Sequence, residues 1–263
     1  MFKETQADMH NYQAAADLLN NKVILITGAG DGIGRQAALH YGAHGATVVL
    51  LGKTVSKLEA VYDELLAQGS PEPAIIPLDL EGATKDHYQQ MAETLKQQFG
   101  QLNGVLFNAS HLSVLGPFEM IGEDEWDKVM QINLRSQFLL TQALLPLLKA
   151  TEHASIVYTS SGVGKQGRAY WGPYAISKFA TEGMMQVLAD ELSNTQVRVN
   201  CINPGATRTD MRSRAYPGED PATLRTPEQI MPLYLYLMGA DSRDVRGQSL
   251  DAQPDKVRSG STS

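Results

Sequence analysis

Tyr174 and Lys178 stand four residues apart in Tyr-Ala-Ile-Ser-Lys, and Ser161 lies thirteen residues ahead of the tyrosine. Residues four apart share one face of a helix, so the lysine ammonium can sit beneath the phenol. A free phenol titrates near ~10, too high for proton exchange at neutral pH. A cation at ~4 Å in an effective dielectric of ~20 contributes ~4 kcal/mol, about three pK units. The pair therefore predicts a phenol brought toward ~7, where general acid-base transfer is efficient.

A second group of residues suits an anion. Thr27-Gly28-Ala29-Gly30-Asp31-Gly32-Ile33-Gly34 follows the apolar run Val23 to Thr27 and precedes a helical pattern. A turn this rich in glycine lets backbone amides at a helix N-terminus approach a pyrophosphate. Strand before and helix after is the setting of a dinucleotide site, formed here by Gly28, Asp31, Gly32, Ile33 and Gly34. The second apolar run ends in Leu51-Gly52-Lys53. A carboxylate at that place would hold the 2′-hydroxyl of NAD, whereas Lys53 offers a cation to a 2′-phosphate. NADP is therefore the expected cofactor, with NAD also possible; Asp31 opposes a phosphate, and Arg35 adds positive charge.

The elements that must position these residues follow a simple alternation. Short aliphatic runs at Val23 to Thr27, Ala46 to Leu51, Ala74 to Leu78, Gly104 to Asn108, Ser155 to Thr159 and Val197 to Ile202 alternate with longer helical patterns. Repeated βαβ units of this kind predict an α/β single-domain Rossmann fold, a doubly wound parallel sheet of about seven strands flanked by helices. The runs are apolar throughout, as strands covered on both faces should be. Residues 1–20 read as a short helical N-terminal extension, 21–252 as the NAD(P)-binding domain with the catalytic site, and 253–263 as a flexible tail. Two long helices, Trp126 to Lys149 and Tyr174 to Leu192, carry more apolar surface than one sheet face can cover. A homodimer or homotetramer built on them is expected.

With 263 residues, 22 basic against 29 acidic side chains and a net charge of −7, the chain is a poor match for nucleic acid or an anionic membrane. No segment approaches ~18 uninterrupted apolar residues, so no membrane span is expected. The N-terminus lacks a signal-peptide core. A single cysteine, Cys201, rules out an intrachain disulfide and fits a reducing cytoplasm. The six histidines are dispersed without metal-ligand spacing, and no metal is expected.

Taken in order, these motifs resemble the short-chain dehydrogenase/reductase family, which carries Thr-Gly-x-x-x-Gly-x-Gly and Tyr-x-x-x-Lys; the likeness runs from about residue 20 to 252. Gln166-Gly167-Arg168-Ala169 and the run Phe179 to Glu191 resemble its bacterial YciK-type oxidoreductases. The resemblance implies hydride transfer between a nicotinamide and a carbonyl or secondary alcohol of a small molecule. It implies that Ser161 holds the substrate oxygen, that Tyr174 is the acid-base and that Lys178 binds the nicotinamide ribose beside it. Asn133 would anchor a proton-relay water. Asp79 and Leu80 would touch adenine, and Asn108, Pro204, Gly205, Thr207 and Thr209 would complete the cofactor site. One position departs from the pattern: the usual Asn-Asn-Ala-Gly reads Phe107-Asn108-Ala109-Ser110. The substrate pocket is expected among Tyr170, Trp171, residues 112–120 and the loop from Met211 to Thr226.

Two alternatives stay open. Reduction of 3-oxoacyl groups on acyl carrier protein would need a basic docking surface, and Glu152 in the loop Lys149 to Ser155 opposes one. A non-catalytic dinucleotide-binding sensor would be expected to have lost Ser161, Tyr174 or Lys178, and all three are present.

Overall fold

The computed structural model describes residues 9–254. Seven strands, β1 (Val23–Thr27), β2 (Thr47–Gly52), β3 (Ala74–Pro77), β4 (Gly104–Phe107), β5 (Ala154–Thr159), β6 (Val197–Asn203) and β7 (Ser249–Asp251), form one sheet. The order is β3-β2-β1-β4-β5-β6-β7 and every pairing is parallel. The expected doubly wound sheet is thus present, with its direction of winding reversing between β1 and β4. Ligands of such sheets sit outside the carboxyl ends of the strands at that reversal.

The uninterrupted apolar runs have a direct cause. In β1, Ile24 and Ile26 point to one core while Val23 and Leu25 point to the other. The first core is closed by α1 (Gly32–Ala43), α2 (Val55–Ala67) and α8 (Met231–Met238). The second is closed by α3 (Lys85–Phe99), α5 (Ser136–Lys149) and α6 (Gly172–Glu191). Alternate side chains of every inner strand are therefore buried on opposite faces, which removes the polar half of the usual alternation.

Two further short helices complete the set: α4 (Glu123–Met130) precedes α5, and α7 (Asp210–Ala215) follows β6. The single helix expected from Trp126 to Lys149 is interrupted by a π turn, Gln131–Arg135. Such turns insert one extra residue and swing a side chain out of helical register; here that residue stretch contains Asn133.

The chain ends depart from expectation. Residues 10–20 run in turns rather than a helix, because Leu19 is drawn into the first core and its N–H bonds the His44 carbonyl at 2.9 Å. Gln253, expected in the tail, is buried; its amide donates to the carbonyls of Pro204 and Ala206 at 2.9 and 3.0 Å. Residues 1–8 of the extension and 255–263 of the tail lie outside the described residues.

Candidate active site

The glycine-rich turn joins β1 to α1. Gly28 and Gly32 adopt φ of 69° and 52°, a region that costs a residue with a Cβ. Gly34 is needed for packing: a Cβ there would stand 2.1 Å from the Gly28 carbonyl oxygen and 2.7 Å from Asn108 Nδ2. It sits behind the turn, whereas Gly28, Asp31, Gly32 and Ile33 face the cavity. Thr27 Oγ1 fixes the neighbouring strand end by accepting from the backbone N–H groups of Asn108 and Ala109, each at 3.0 Å.

From this turn a cavity of about 420 Å³ runs across the carboxyl ends of the strands to Ser161 and Tyr174. Lys53, Asp79, Leu80 and Asn108 line it, as do Pro204, Gly205, Thr207 and Thr209. The sequence-predicted residues from seven separate segments are thus brought to one place. Gln253 anchors the Pro204–Thr207 segment from behind, a role with no local signature in its sequence.

Charge at the glycine-rich end is arranged differently from expectation. Asp31 accepts from the Gly32 N–H at 2.7 Å, capping α1, and forms an ion pair with Lys57. The Lys57 ammonium holds the Asp31 carboxyl below its usual range. Asp31 therefore does not present an unopposed negative charge. Lys57 also lines the cavity with Lys53; its only trace in the sequence is its four-residue distance from Lys53 on the helix that follows β2. Arg35 pairs with Glu64 and does not line the cavity, and its share at this end is a weak pull on the Asp31 carboxyl.

At the opposite end, Ser161 lies two residues beyond β5, and Tyr174 and Lys178 lie one turn apart on α6. Pro173 favours the first turn of that helix, where its missing N–H costs nothing. Gly164 lets the turn after Ser161 close on α6, since a Cβ would meet Lys178 Cβ at 2.8 Å. The Ser161 hydroxyl reaches the phenol, and so does that of Ser110. Lys178 is 1% exposed; its Nζ lies 5.6 Å from the Tyr174 ring centroid and donates to the Thr159 carbonyl at 2.8 Å.

The expected titration of this pair is corrected by burial. The Tyr174 phenol is pushed up to about 12, because desolvation outweighs the help of the Ser161 and Ser110 hydroxyls. The ammonium stands over the ring and serves Thr159, so it gives the phenol none of the stabilisation that a contact at ~4 Å would. Burial also lowers Lys178 to about 8, against the pull of Cys201 and Glu182 toward the charged form.

Asn133 is fully buried and outside the cavity lining. Its Oδ1 accepts from the His111 N–H at 2.7 Å; its Nδ2 donates to the His111 carbonyl at 3.0 Å and to Ser177 Oγ at 3.1 Å. The side chain locks the segment after β4 to α6, and the π turn is what brings it there.

The substrate end is mostly apolar. Leu112, Trp171 and Met211 pack against the cluster formed by Val163, Tyr174 and Ala175, with the Trp171 and Tyr174 rings 5.8 Å apart. Tyr170 is 63% exposed and does not line the cavity. Arg212 bonds Glu219 through two N–H groups at 2.6 and 2.7 Å and stacks 3.8 Å from the Tyr216 ring, which pins the loop after β6. Among the described residues, no helix is long and apolar enough to cross a membrane.

A sequence model of the short chain dehydrogenase family matches residues 22–220. The uncharacterized oxidoreductase YciK of Escherichia coli is 52% identical over 248 residues, spanning 94% of this chain and 98% of its own. A short chain dehydrogenase of Shigella flexneri solved in complex with NADP superposes with a TM-score of 0.89 at 53% identity, covering 91% of this chain and all of its own. The 3-oxoacyl-[acyl-carrier-protein] reductase FabG of Thermotoga maritima is more remote, at 31% identity over 88% of this chain and 95% of its own.

Proposed function

The chain belongs to the short-chain dehydrogenase family, and from that premise we propose that it is an NADP-preferring oxidoreductase acting on a carbonyl or secondary alcohol. The observation that carries the reading is the meeting of the Ser161 and Tyr174 hydroxyls beside buried Lys178, in a cavity whose other end is a glycine-rich helix start. NADPH, when bound, supplies the hydride.

The residues divide the remaining work. Ser161 and Tyr174 donate to the two lone pairs of the substrate carbonyl and orient its carbon. Tyr174 gives its proton to the oxygen as negative charge develops there, and the resulting phenolate takes a proton back before the next turnover. Lys178 holds positive charge behind the ring and positions the Thr159 strand end. Asn133 acts at one remove, by fixing the backbone of His111. Consumption of NADPH over a panel of ketones, aldehydes and diketones tests the reading; no turnover across the panel would favour a dinucleotide-binding protein without catalysis.

The cofactor preference rests on Lys53 and Lys57, which offer two cations at the β2 end, and on the NADP complex of the Shigella relative. Lys57 is half-exposed and already paired, so each cation is worth a modest charge-assisted contact. Replacing both with alanine is expected to raise KM for NADPH about tenfold to a hundredfold and leave KM for NADH within about twofold. Equal changes for both cofactors would remove the 2′-phosphate reading.

A carrier-protein reductase is the weaker alternative. It is supported only by the remote likeness to the Thermotoga enzyme, while exposed Glu152 stands where an acidic carrier would dock. A homo-oligomer through α5 and α6 is supported by Phe138, Phe179 and Val187, which leave 48%, 45% and 60% of their surface exposed on those helices. Sedimentation is expected to give a multiple of the chain mass, and Val187→Lys with Phe179→Lys is expected to shift it toward the monomer. A monomeric wild type would rule the interface out.

A further inference from the structure

The four most exposed large apolar side chains among the described residues are Val114, Met120, Phe118 and Tyr170. They fall in two segments that are joined beside the substrate end of the cavity. The Gly116 N–H donates to the Tyr170 carbonyl at 3.0 Å, and a Cβ on Gly172 would stand 2.6 Å from Ile121 Cδ1. Tyr170 holds a φ of 72°, which residues with a Cβ avoid and which persists only where the surroundings fix it. The exposed side chains thus ride on a braced platform. That platform continues a wall of the site: Leu112, two residues before Val114, and Trp171, next to Tyr170, both line the cavity and pack against the cluster of Val163, Tyr174 and Ala175. Exposed apolar surface beside a binding cavity favours a ligand that covers it. Charge narrows the choice of occupant. Glu119 lies between Phe118 and Met120, and Glu123 and Asp124 follow, against Arg168 as the flanking cation. An anionic membrane or a tail ending in a carboxylate is disfavoured there. Copies of the chain have other exposed apolar side chains to meet through, Phe138, Phe179 and Val187 on α5 and α6.

We infer that the surface of Val114, Phe118, Met120 and Tyr170 binds the hydrocarbon tail of the substrate, so that neutral long-chain aliphatic ketones and secondary alcohols are the preferred substrates. This rests on the hydride-transfer reading. The carbonyl stands at Ser161 and Tyr174, where hydride adds to its carbon and the Tyr174 proton to its oxygen, with NADPH oxidised to NADP. The tail leaves the cavity past Leu112 and Trp171 and lies on the platform, taking no part in the chemistry.

The test measures kcat/KM with NADPH on 2-butanone, 2-hexanone, 2-octanone and 2-decanone, for wild type and for Val114→Ser with Phe118→Ser. Each methylene that leaves water is expected to raise the wild-type value about twofold to fourfold. The variant is expected to follow that rise for the first methylenes, which stay inside the cavity, and then to level off. Its ratio of 2-decanone to 2-butanone should fall about tenfold below that of wild type. Both replaced side chains are exposed, so the melting temperature is expected to hold, and Met120→Ser serves as an independent second variant with the same expected direction. 9-Oxodecanoate, which has the length of 2-decanone but ends in a carboxylate, is expected at least about tenfold below it. A flat wild-type series, an unchanged ratio in both variants, or equal rates on 2-decanone and 9-oxodecanoate overturns the inference and leaves the hydride-transfer reading intact. So does a variant that changes sedimentation mass or loses binding to phosphatidylcholine vesicles, which would give the surface to a second copy or to a membrane. Turnover of the wider carbonyl panel without turnover of this series overturns the inference alone; no turnover of either overturns both.

Discussion

Tyr174→Phe is expected to lower NADPH-dependent turnover by about 10²- to 10⁴-fold while leaving NADPH binding intact. Phenylalanine keeps the ring between Trp171 and the Lys178 ammonium, at 5.8 Å from the first centroid and 5.6 Å from the second group's Nζ. It removes only the hydroxyl, so the packing of Val163, Ala175 and Met211 around the ring survives. The pH dependence separates loss of a proton donor from loss of shape. With its phenol near about 12, Tyr174 is protonated throughout the neutral range and is ready to donate. Carbonyl reduction is therefore expected to be nearly flat from about pH 6 to 8. Alcohol oxidation needs the phenolate, whose population rises about tenfold per pH unit below the phenol's pKa. The phenylalanine variant should show no such alkaline limb. Turnover equal to wild type would take the proton donor away from residue 174.

What could be read in the sequence and what could not divide along physical lines. Six strands were legible because both faces of each are buried, which leaves an unbroken apolar run of the kind seen at Val23–Thr27. The glycine-rich turn was legible because Gly28 and Gly32 hold conformations that other residues avoid. β7 has no such mark: Ser249–Asp251 is three residues long with one apolar side chain. Lys57 and Gln253 act through tertiary contact, with Asp31 and with the Pro204–Thr207 backbone, and a lysine or glutamine in such places resembles any surface residue. The phenol's titration failed for a related reason. Spacing places Lys178 on the right face, but the depth to which α6 sinks, and the choice of Thr159 as the ammonium's partner, belong to the packed chain. Desolvation then reverses the sign that the charge alone would give.

Gly34→Ala is expected to damage fold and site together, and the reason is the identity of the atoms it would strike. The added Cβ would fall 2.1 Å from the Gly28 carbonyl oxygen, a backbone atom of the turn that must face the dinucleotide, and 2.7 Å from Asn108 Nδ2. The Asn108 amide ends a side chain and can turn aside, but the Gly28 carbonyl is backbone and cannot, so relief requires α1 to move away from β1. Overpacking of this kind costs about 1–3 kcal/mol or more, against a gain of up to ~1 kcal/mol from alanine's better helix propensity. Denaturant unfolding should therefore show a net loss of about 1–2 kcal/mol. The larger effect falls on the ligand, because the same movement withdraws the amides at the start of α1 from the place where they converge on an anion. NADPH affinity, followed by fluorescence titration, is expected to drop at least about tenfold beyond what the loss of folded protein explains. Gly82→Ala is the matched control, since nothing lies within 4 Å of its Cβ position; it should leave stability within about 0.5 kcal/mol of wild type. If Gly34→Ala bound NADPH as tightly as Gly82→Ala, close approach at the first turn would not be what the glycine supplies.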